Sequence, residues 1–190
     1  MPLSLPIGAE ANALLERSPL ALLIGMTLDQ QVTMEKAFSG PYELQQRLGR
    51  ELDAQELADF DEEALAAIFA KQPAIHRFPR ANAKRTQEVC RVLVEQYDGD
   101  ASRLWSEAKT GQELFARLTA LPGFGKQKSQ IFMALLGKRF GVTPKGWREA
   151  AGAYGAEHVH YSVADITDDD SLARVRAYKK EMKAAAKAGQ

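Results

Sequence analysis

The chain has 190 residues, 45% of them hydrophobic and 26% charged, and its 25 basic residues balance 25 acidic ones. That length suits one domain with at most an appended lobe. The neutral balance excludes a protein that attracts nucleic acid through overall positive charge, and the single cysteine, Cys90, excludes both an internal disulfide and an iron–sulfur cluster held by four thiolates of this chain.

Residues 8–17 read as a short helix, and Pro19 opens a second, in which Leu20, Leu23, Ile24 and Leu28 form an apolar stripe at helical spacing. The apolar run 21–24 is too short to span a bilayer and no basic segment precedes it, so neither a signal peptide nor a membrane partner is expected. A cytoplasmic protein follows as the default, associated with the nucleoid when bound to DNA. Gly40-Pro41 is expected to break the chain, residues 42–48 to form a short helix and Gly49 to end it. Asp53 and Asp61 cap two more helices, and residues 73–79 connect to a strongly amphipathic helix over 82–97. Cys90 sits among Val89, Val92 and Leu93 in that helix, as a buried core thiol. A helix over 111–120, an apolar helical run from Ile131, a helix from Pro144 to about residue 153, an irregular stretch over 155–166 and a final Lys- and Ala-rich helix over 171–187 complete an all-α reading. His76, His158 and His160 do not form a convincing metal set, and Trp105 and Trp147 read as core residues.

Charge is unevenly placed. Six basic residues (Lys126, Lys128, Lys138, Arg139, Lys145, Arg148) and no acidic one fall between positions 126 and 148, whereas residues 51–63 carry seven carboxylates. The first run is expected to offer a face to phosphates, and the second to be a solvated helix surface.

The most informative stretch is Leu121-Pro122-Gly123-Phe124-Gly125-Lys126-Gln127-Lys128, between two helical patterns. Glycines at alternate positions of a tight inter-helix loop admit positive φ and let another backbone approach closely. The loop then aims the amides at the start of the following helix at one spot, which favours an anion such as a phosphate. Lys126 and Lys128 add positive charge. The pattern is that of a helix-hairpin-helix clamp that grips a nucleic-acid backbone without reading sequence.

In this order (an apolar helix ending in Leu28-Asp29-Gln30-Gln31-Val32-Thr33, short helices, Ala81-Asn82-Ala83-Lys84-Arg85, then the hairpin), the chain resembles the helix-hairpin-helix DNA glycosylase superfamily, the HhH-GPD proteins that include endonuclease III. The resemblance covers roughly residues 18–150. It implies a two-lobed all-α glycosylase fold over 1–154 with the hairpin at about 112–137, and an irregular segment with a basic helix, 155–190, packing on it or trailing from it. It implies duplex DNA, damaged or distorted, as the partner of a monomer, with one nucleotide flipped out of the stack. By matched position Gln31 fills the hole left by the flipped base, and residues 121–128 hold the phosphate. The carbonyls of Thr119, Leu121 and Phe124 match those that hold a monovalent cation in relatives. No other cofactor is implied.

The chemistry is where the match thins. Relatives that cleave the strand carry a nucleophilic lysine two residues after the second hairpin glycine, where this chain has Gln127. Lys126 and Lys128 flank it, but one residue along a helix turns a side chain by about 100°, so neither is expected to substitute. The aspartate that active relatives carry after the hairpin's second helix falls near Lys145, whose charge would repel a cationic transition state. Asp29 and Asp165 are the replacement candidates. A monofunctional glycosylase with a displaced carboxylate and a catalytically inactive DNA-binding homologue both fit, and an all-helical protein–protein module is a third reading.

Overall fold

The computed structural model describes residues 2–190, and its framework is helical, with no strand among the described residues. Two groups of helices share one continuous core. The first comprises α1 (Ala9–Arg17), α2 (Pro19–Leu28), α3 (Met34–Leu48), α4 (Ala54–Asp59), α5 (Glu62–Ala70) and α6 (Pro79–Tyr97). The second comprises α7 (Arg103–Ser106), α8 (Gly111–Thr119), α9 (Lys126–Phe140), α10 (Trp147–Ala150) and α11 (Asp169–Ala188), with single 3₁₀ turns at Gly152–Gly155 and Val163–Asp165.

The centre of the first lobe is α2. Ser18 caps it by accepting the Ala21 amide at 3.1 Å, and Pro19 pre-sets its first φ. Every residue from Leu20 to Leu28 is buried, so the expected stripe is instead a helix apolar all round, enclosed by its neighbours. It crosses α3 closely, because a Cβ on Gly25 would meet the Phe38 ring at 2.8 Å and one on Gly40 would meet Leu28 Cδ1 at 2.5 Å.

That crossing explains a misread element. Gly40-Pro41 does not break the chain, and α3 runs through both residues from its Thr33 cap to Gly49, a left-handed terminator with φ of 70°. A proline inside a helix costs about 3 kcal/mol. Here Met34, Ala37, Phe38, Gly40, Pro41, Leu44 and Leu48 are all buried, and their packing outweighs the lost hydrogen bond.

Differences in the second lobe also trace to glycines. The helix expected from Pro144 is only Trp147–Ala150, because Gly146 takes φ of 77° before it and Gly152 takes 61° after it. The Lys145 carbonyl accepts the Gly111 amide at 2.8 Å, which ties this turn to the start of α8. Residues 155–166 are not loose. Val163, Ala164 and Ile166 are buried against α9, and buried Asp165 pairs with Lys138 at 2.6 Å. From there α11 starts at its Asp168 cap, and residues 181–190 at its far end are exposed on all sides.

Most of the expected charge runs serve structure. Asp53 and Asp61 cap α4 and α5, and Glu51, Glu62 and Glu63 pair with Arg17, Arg91 and Arg80. Of the basic run, Lys138 pairs with Asp165, Arg139 donates to the Ala164 carbonyl and Arg148 donates to the Gly155 carbonyl and to Glu157. Of the remaining three, Lys128 donates to the Thr27 carbonyl, and exposed Lys126 and Lys145 make no side-chain contact of this kind among the described residues. Cys90 is fully buried and burial pushes its thiol up to about 12, so it is chemically quiet. Trp105 packs edge-on against Phe132 with ring centroids 5.9 Å apart, and Trp147 fills the space over Gly137.

Breaking the buried Lys138–Asp165 pair leaves one charge uncompensated. Asp165→Ala is expected to lower unfolding free energy by about 3 kcal/mol, read as a shifted midpoint in urea denaturation. An unchanged midpoint would show that the pair does not anchor this segment.

Candidate nucleic-acid interface

α8 and α9 are joined by residues 120–125. Thr110 caps α8, and Gly123 supplies the one left-handed residue of the turn, with φ of 79°. The loop is pinned from beneath by buried Leu121 and Phe124, the latter edge-on to Phe132 at 6.3 Å. Its outer side is open, since Gly123, Gly125, Lys126 and Gln127 are all exposed and Pro122 is half-buried. No side chain caps α9. The amides of Gly123, Gly125, Lys126, Gln127 and Lys128 donate to no group of the chain, although Ser129 closes the first helical bond on Gly125 at 3.1 Å. A helix start with unpartnered amides and no acidic residue in its first turn favours an anion.

The guanidinium of Arg85, from α6, lies directly on Gly123. A Cβ there would stand 1.9 Å from Arg85 Nη1, so a side chain would displace the guanidinium and would also be strained at the left-handed φ of 79°. Arg85 also lines a shallow hollow of about 140 Å³ with Gln30, Gln31, Phe78, Ala81 and Asn82. It therefore links the hairpin on one lobe to the Gln31 turn on the other. Nothing in the local sequence around Arg85 signals this placement.

Gln31 is exposed at the tip of the α2–α3 turn and holds φ of 60°, a left-handed conformation that a non-glycine residue adopts only where its surroundings enforce it. The enforcing group is His76, a buried residue with no evident role in the sequence. One of its ring nitrogens, Nε2, lies 3.1 Å from the Leu28 carbonyl and 3.0 Å from the Gln30 carbonyl and donates to them. The other, Nδ1, accepts the Phe78 amide at 2.9 Å and the Asn82 side-chain amide at 3.0 Å. This set of partners requires the neutral ring, and burial lowers the imidazole pKa. Phe78, 41% exposed, projects beside the same hollow with Arg77 stacked over it at 5.2 Å.

The remaining candidates separate cleanly. Asp29 ends α2 and is half-buried. Burial pushes its carboxyl above the usual range, against the opposing pull of Lys179 from α11 and Lys128 from α9. Asp165 stands near Lys138 in the last turn of α9, at the opposite end of that helix from the hairpin. Its Oδ2 accepts the amides of Tyr161 and Ser162 while Oδ1 takes the Lys138 ammonium, so it is a capping and pairing carboxylate rather than a catalytic one. Lys145 is exposed beside the first turn of α8, a full helix length from the clamp, and so cannot repel charge developing there. Gln127 donates to the Tyr154 hydroxyl at 2.9 Å and faces the second lobe.

The side chain of Lys128 leaves the hairpin and does not lie beside its free amides. It reaches across to the first lobe, where its Nζ donates to the Thr27 carbonyl at 3.0 Å and lies 5.5 Å from the Phe124 ring centre. Burial pushes the amine down to about 8, with Arg85 adding to the fall and Asp29 opposing it.

Thr119, Leu121 and Phe124 present their carbonyls within one turn. Leu121 accepts the Phe124 amide at 3.1 Å, and the other two accept no hydrogen bond. No cluster of three or more His, Cys, Asp or Glu side chains suited to a metal occurs among the described residues, and no helix there is long and apolar enough to cross a membrane.

An open hairpin with free amides, two lysines and a buttressing arginine, facing a left-handed glutamine turn across the lobes, defines a helix-hairpin-helix DNA-binding protein. The family model described as HhH-GPD superfamily base excision DNA repair protein matches residues 24–189, and the chain belongs to that family. No curated protein and no solved structure matches the chain. The matched span takes in the 3₁₀ turns and nearly all of α11 as well as the hairpin.

Two outcomes follow. Gly123→Ala forces a Cβ onto Arg85 at a left-handed position, and is expected to weaken binding to duplex DNA about tenfold, measured by fluorescence anisotropy. Unchanged affinity would show that the turn does not contact the strand. For His76, the unfolded imidazole takes its proton near pH 6.5 and the folded one only at lower pH. The unfolded chain therefore binds more protons in between, and stability falls as pH drops below about 6.5. Urea midpoints across that range are expected to show this loss, and His76→Ala to flatten it.

Proposed function

We propose that this protein is a DNA N-glycosylase that excises a damaged base from duplex DNA. The observation that carries the reading is the position of Arg85, which lies against Gly123 of a hairpin with unpartnered amides and also lines a hollow with Gln30 and Gln31. The hairpin, residues 121–128, grips the phosphate beside the lesion. Gln31 enters the stack in place of the extruded nucleotide, which removes the cost of an empty gap between bases.

Asp29 supplies the carboxylate. It lies at the end of the helix that leads into Gln31, and its neighbours Lys128 and Lys179 favour the ionised form against the effect of burial. An ionised carboxylate there stabilises positive charge on the sugar as the base departs, or takes a proton from the attacking water. A monovalent cation bound by the carbonyls of Thr119, Leu121 and Phe124 would stiffen the turn and add charge facing the phosphate. The exposed lysines at the end of α11, Lys180, Lys183 and Lys187, extend the basic surface along the duplex. The protein acts as a monomer, since one chain carries clamp, glutamine turn and carboxylate.

The test is a panel of duplexes, each with one damaged base, incubated with the protein and then treated with alkali to cleave abasic sites. Breaks at one lesion class are expected, and Asp29→Asn is expected to reduce them at least about 100-fold. Affinity for that lesion should fall steeply with salt, as phosphate contacts require. Tight lesion-selective binding without release of any base would overturn the enzyme reading in favour of a catalytically inactive binder. Equal weak binding to damaged and intact duplex would overturn both.

A further inference from the structure

We propose that His76 is the positioning residue of the Gln31 turn, and that only its neutral ring holds Gln31 where it can enter the base stack. Acidification then frees the turn while the hairpin keeps its grip on the strand. This role rests on the glycosylase reading above, in which Gln31 fills the gap left by the extruded nucleotide.

The ring has one donor and one acceptor, and its surroundings fix which is which. Nδ1 lies 2.9 Å from the Phe78 backbone amide, a group that can only donate. Nδ1 therefore carries the lone pair, which the Asn82 side-chain amide also meets at 3.0 Å. Nε2 carries the hydrogen and donates to the Leu28 and Gln30 carbonyls, at 3.1 Å and 3.0 Å. Those carbonyls flank Asp29, and the second belongs to the residue just before Gln31. Gln31 itself is exposed, and its side chain makes no hydrogen bond among the described residues. Its φ of 60° is thus imposed by the seated backbone before it.

A proton added at Nδ1 turns the acceptor into a donor that faces two donors. The ring is only 1% exposed, so its new N–H and the Phe78 amide are both left unpaired away from bulk water. The ring then leaves its seat, and the Leu28 and Gln30 carbonyls lose their side-chain donor. Left-handed backbone at a residue other than glycine persists only where the surroundings over-determine it, so Gln31 relaxes with them. Burial is the largest force against protonation, and the cations Lys128 from α9 and Lys36 from α3 add to it. Asp29 is coupled instead to Lys179, Lys128 and Glu35, and Arg77 turns away onto the Phe78 ring. From α6 the ring meets Asn82, while Arg85, three residues on, lies against Gly123. The hairpin amides are backbone groups that do not titrate, which is why the clamp outlasts the turn.

The experiment uses the full chain and two duplexes, one intact and one with a stable abasic analogue beside a fluorescent purine. Anisotropy gives both affinities, and the purine emission reports stacking disturbed by Gln31. Protonation of the His76 ring is followed in parallel by nitrogen NMR. Below about pH 6.5 the preference for the abasic duplex is expected to fall at least about tenfold, in step with the ring, while affinity for the intact duplex is kept. His76→Gln keeps a donor and an acceptor but takes no proton, so it should retain the preference and lose its pH dependence. His76→Ala should lose the preference at least about tenfold even near pH 7.5. Asn82→Ala removes one donor facing Nδ1, and should move ring protonation and loss of preference to higher pH together.

A preference that survives ring protonation, or that His76→Ala retains, overturns the proposal. So does a preference that falls while the ring stays neutral. Loss of both affinities together also overturns it, since the chain then unfolds as a whole instead of freeing one turn. The two readings fail distinguishably. A preference independent of pH and of His76 removes only the positioning role. Equal binding of both duplexes at every pH removes the glycosylase reading with it.

Discussion

The last carbonyls of α2 are the constraint on which the site depends. A helix leaves its final four carbonyls without intrahelical partners, and burying such an end without donors is expensive. Here α2 is buried over its whole length, so its C-terminus must find donors from elsewhere. The Met26 carbonyl accepts the Asp29 amide at 3.2 Å, and Leu28 accepts Gln30 at 2.8 Å and His76 at 3.1 Å. Thr27 accepts the ammonium of Lys128 from the other lobe. The helix dipole favours a cation at that end. One packing requirement therefore pulls a lysine into the junction, fixes a histidine and bends the chain into the turn that carries Gln31.

That junction is electrostatically close to balanced. Asp29 and Glu35 from the first lobe face Lys128 and Lys179 from the second, and Glu35 also pairs with Arg176. Burial of Lys128 and Asp29 disfavours the charged form of each, so the amine gives up its proton more readily and the Asp29 carboxyl holds its own more firmly than in water. Asp29 and Lys128 influence each other electrostatically without meeting at salt-bridge distance. Lys138 and Asp165 show the contrast. They meet at 2.6 Å with the carboxylate's other oxygen saturated by amides, and the pair serves only to hold residues 161–166 against α9.

The helical fold and the hairpin were legible in the sequence because both are written locally. Ser18, Thr33, Asp53, Asp61 and Thr110 each cap the helix that follows them, and Gly123 stands where the tight turn needs a left-handed residue, whereas Gly125 holds ordinary extended backbone. The Pro41 misreading shows the limit of local rules, since the burial that carries α3 through a proline comes from α2, twelve or more residues away. The site was legible only in part for the same reason. Arg85 on Gly123, His76 on the α2 terminus and Lys128 on Thr27 are contacts across 38, 48 and 101 residues, and no spacing rule reports them.

Matching by position also fails for a reason of scale. Gln127 and Lys128 are adjacent in sequence, yet one donates to Tyr154 on the second lobe and the other to Thr27 on the first. At the start of α9 the helix lies between the two lobes, so a turn of about 100° is enough to choose which of them a side chain joins. A shorter residue at position 128 could not reach α2, whereas the four-carbon stem of lysine spans the gap and keeps its amine at the buried end.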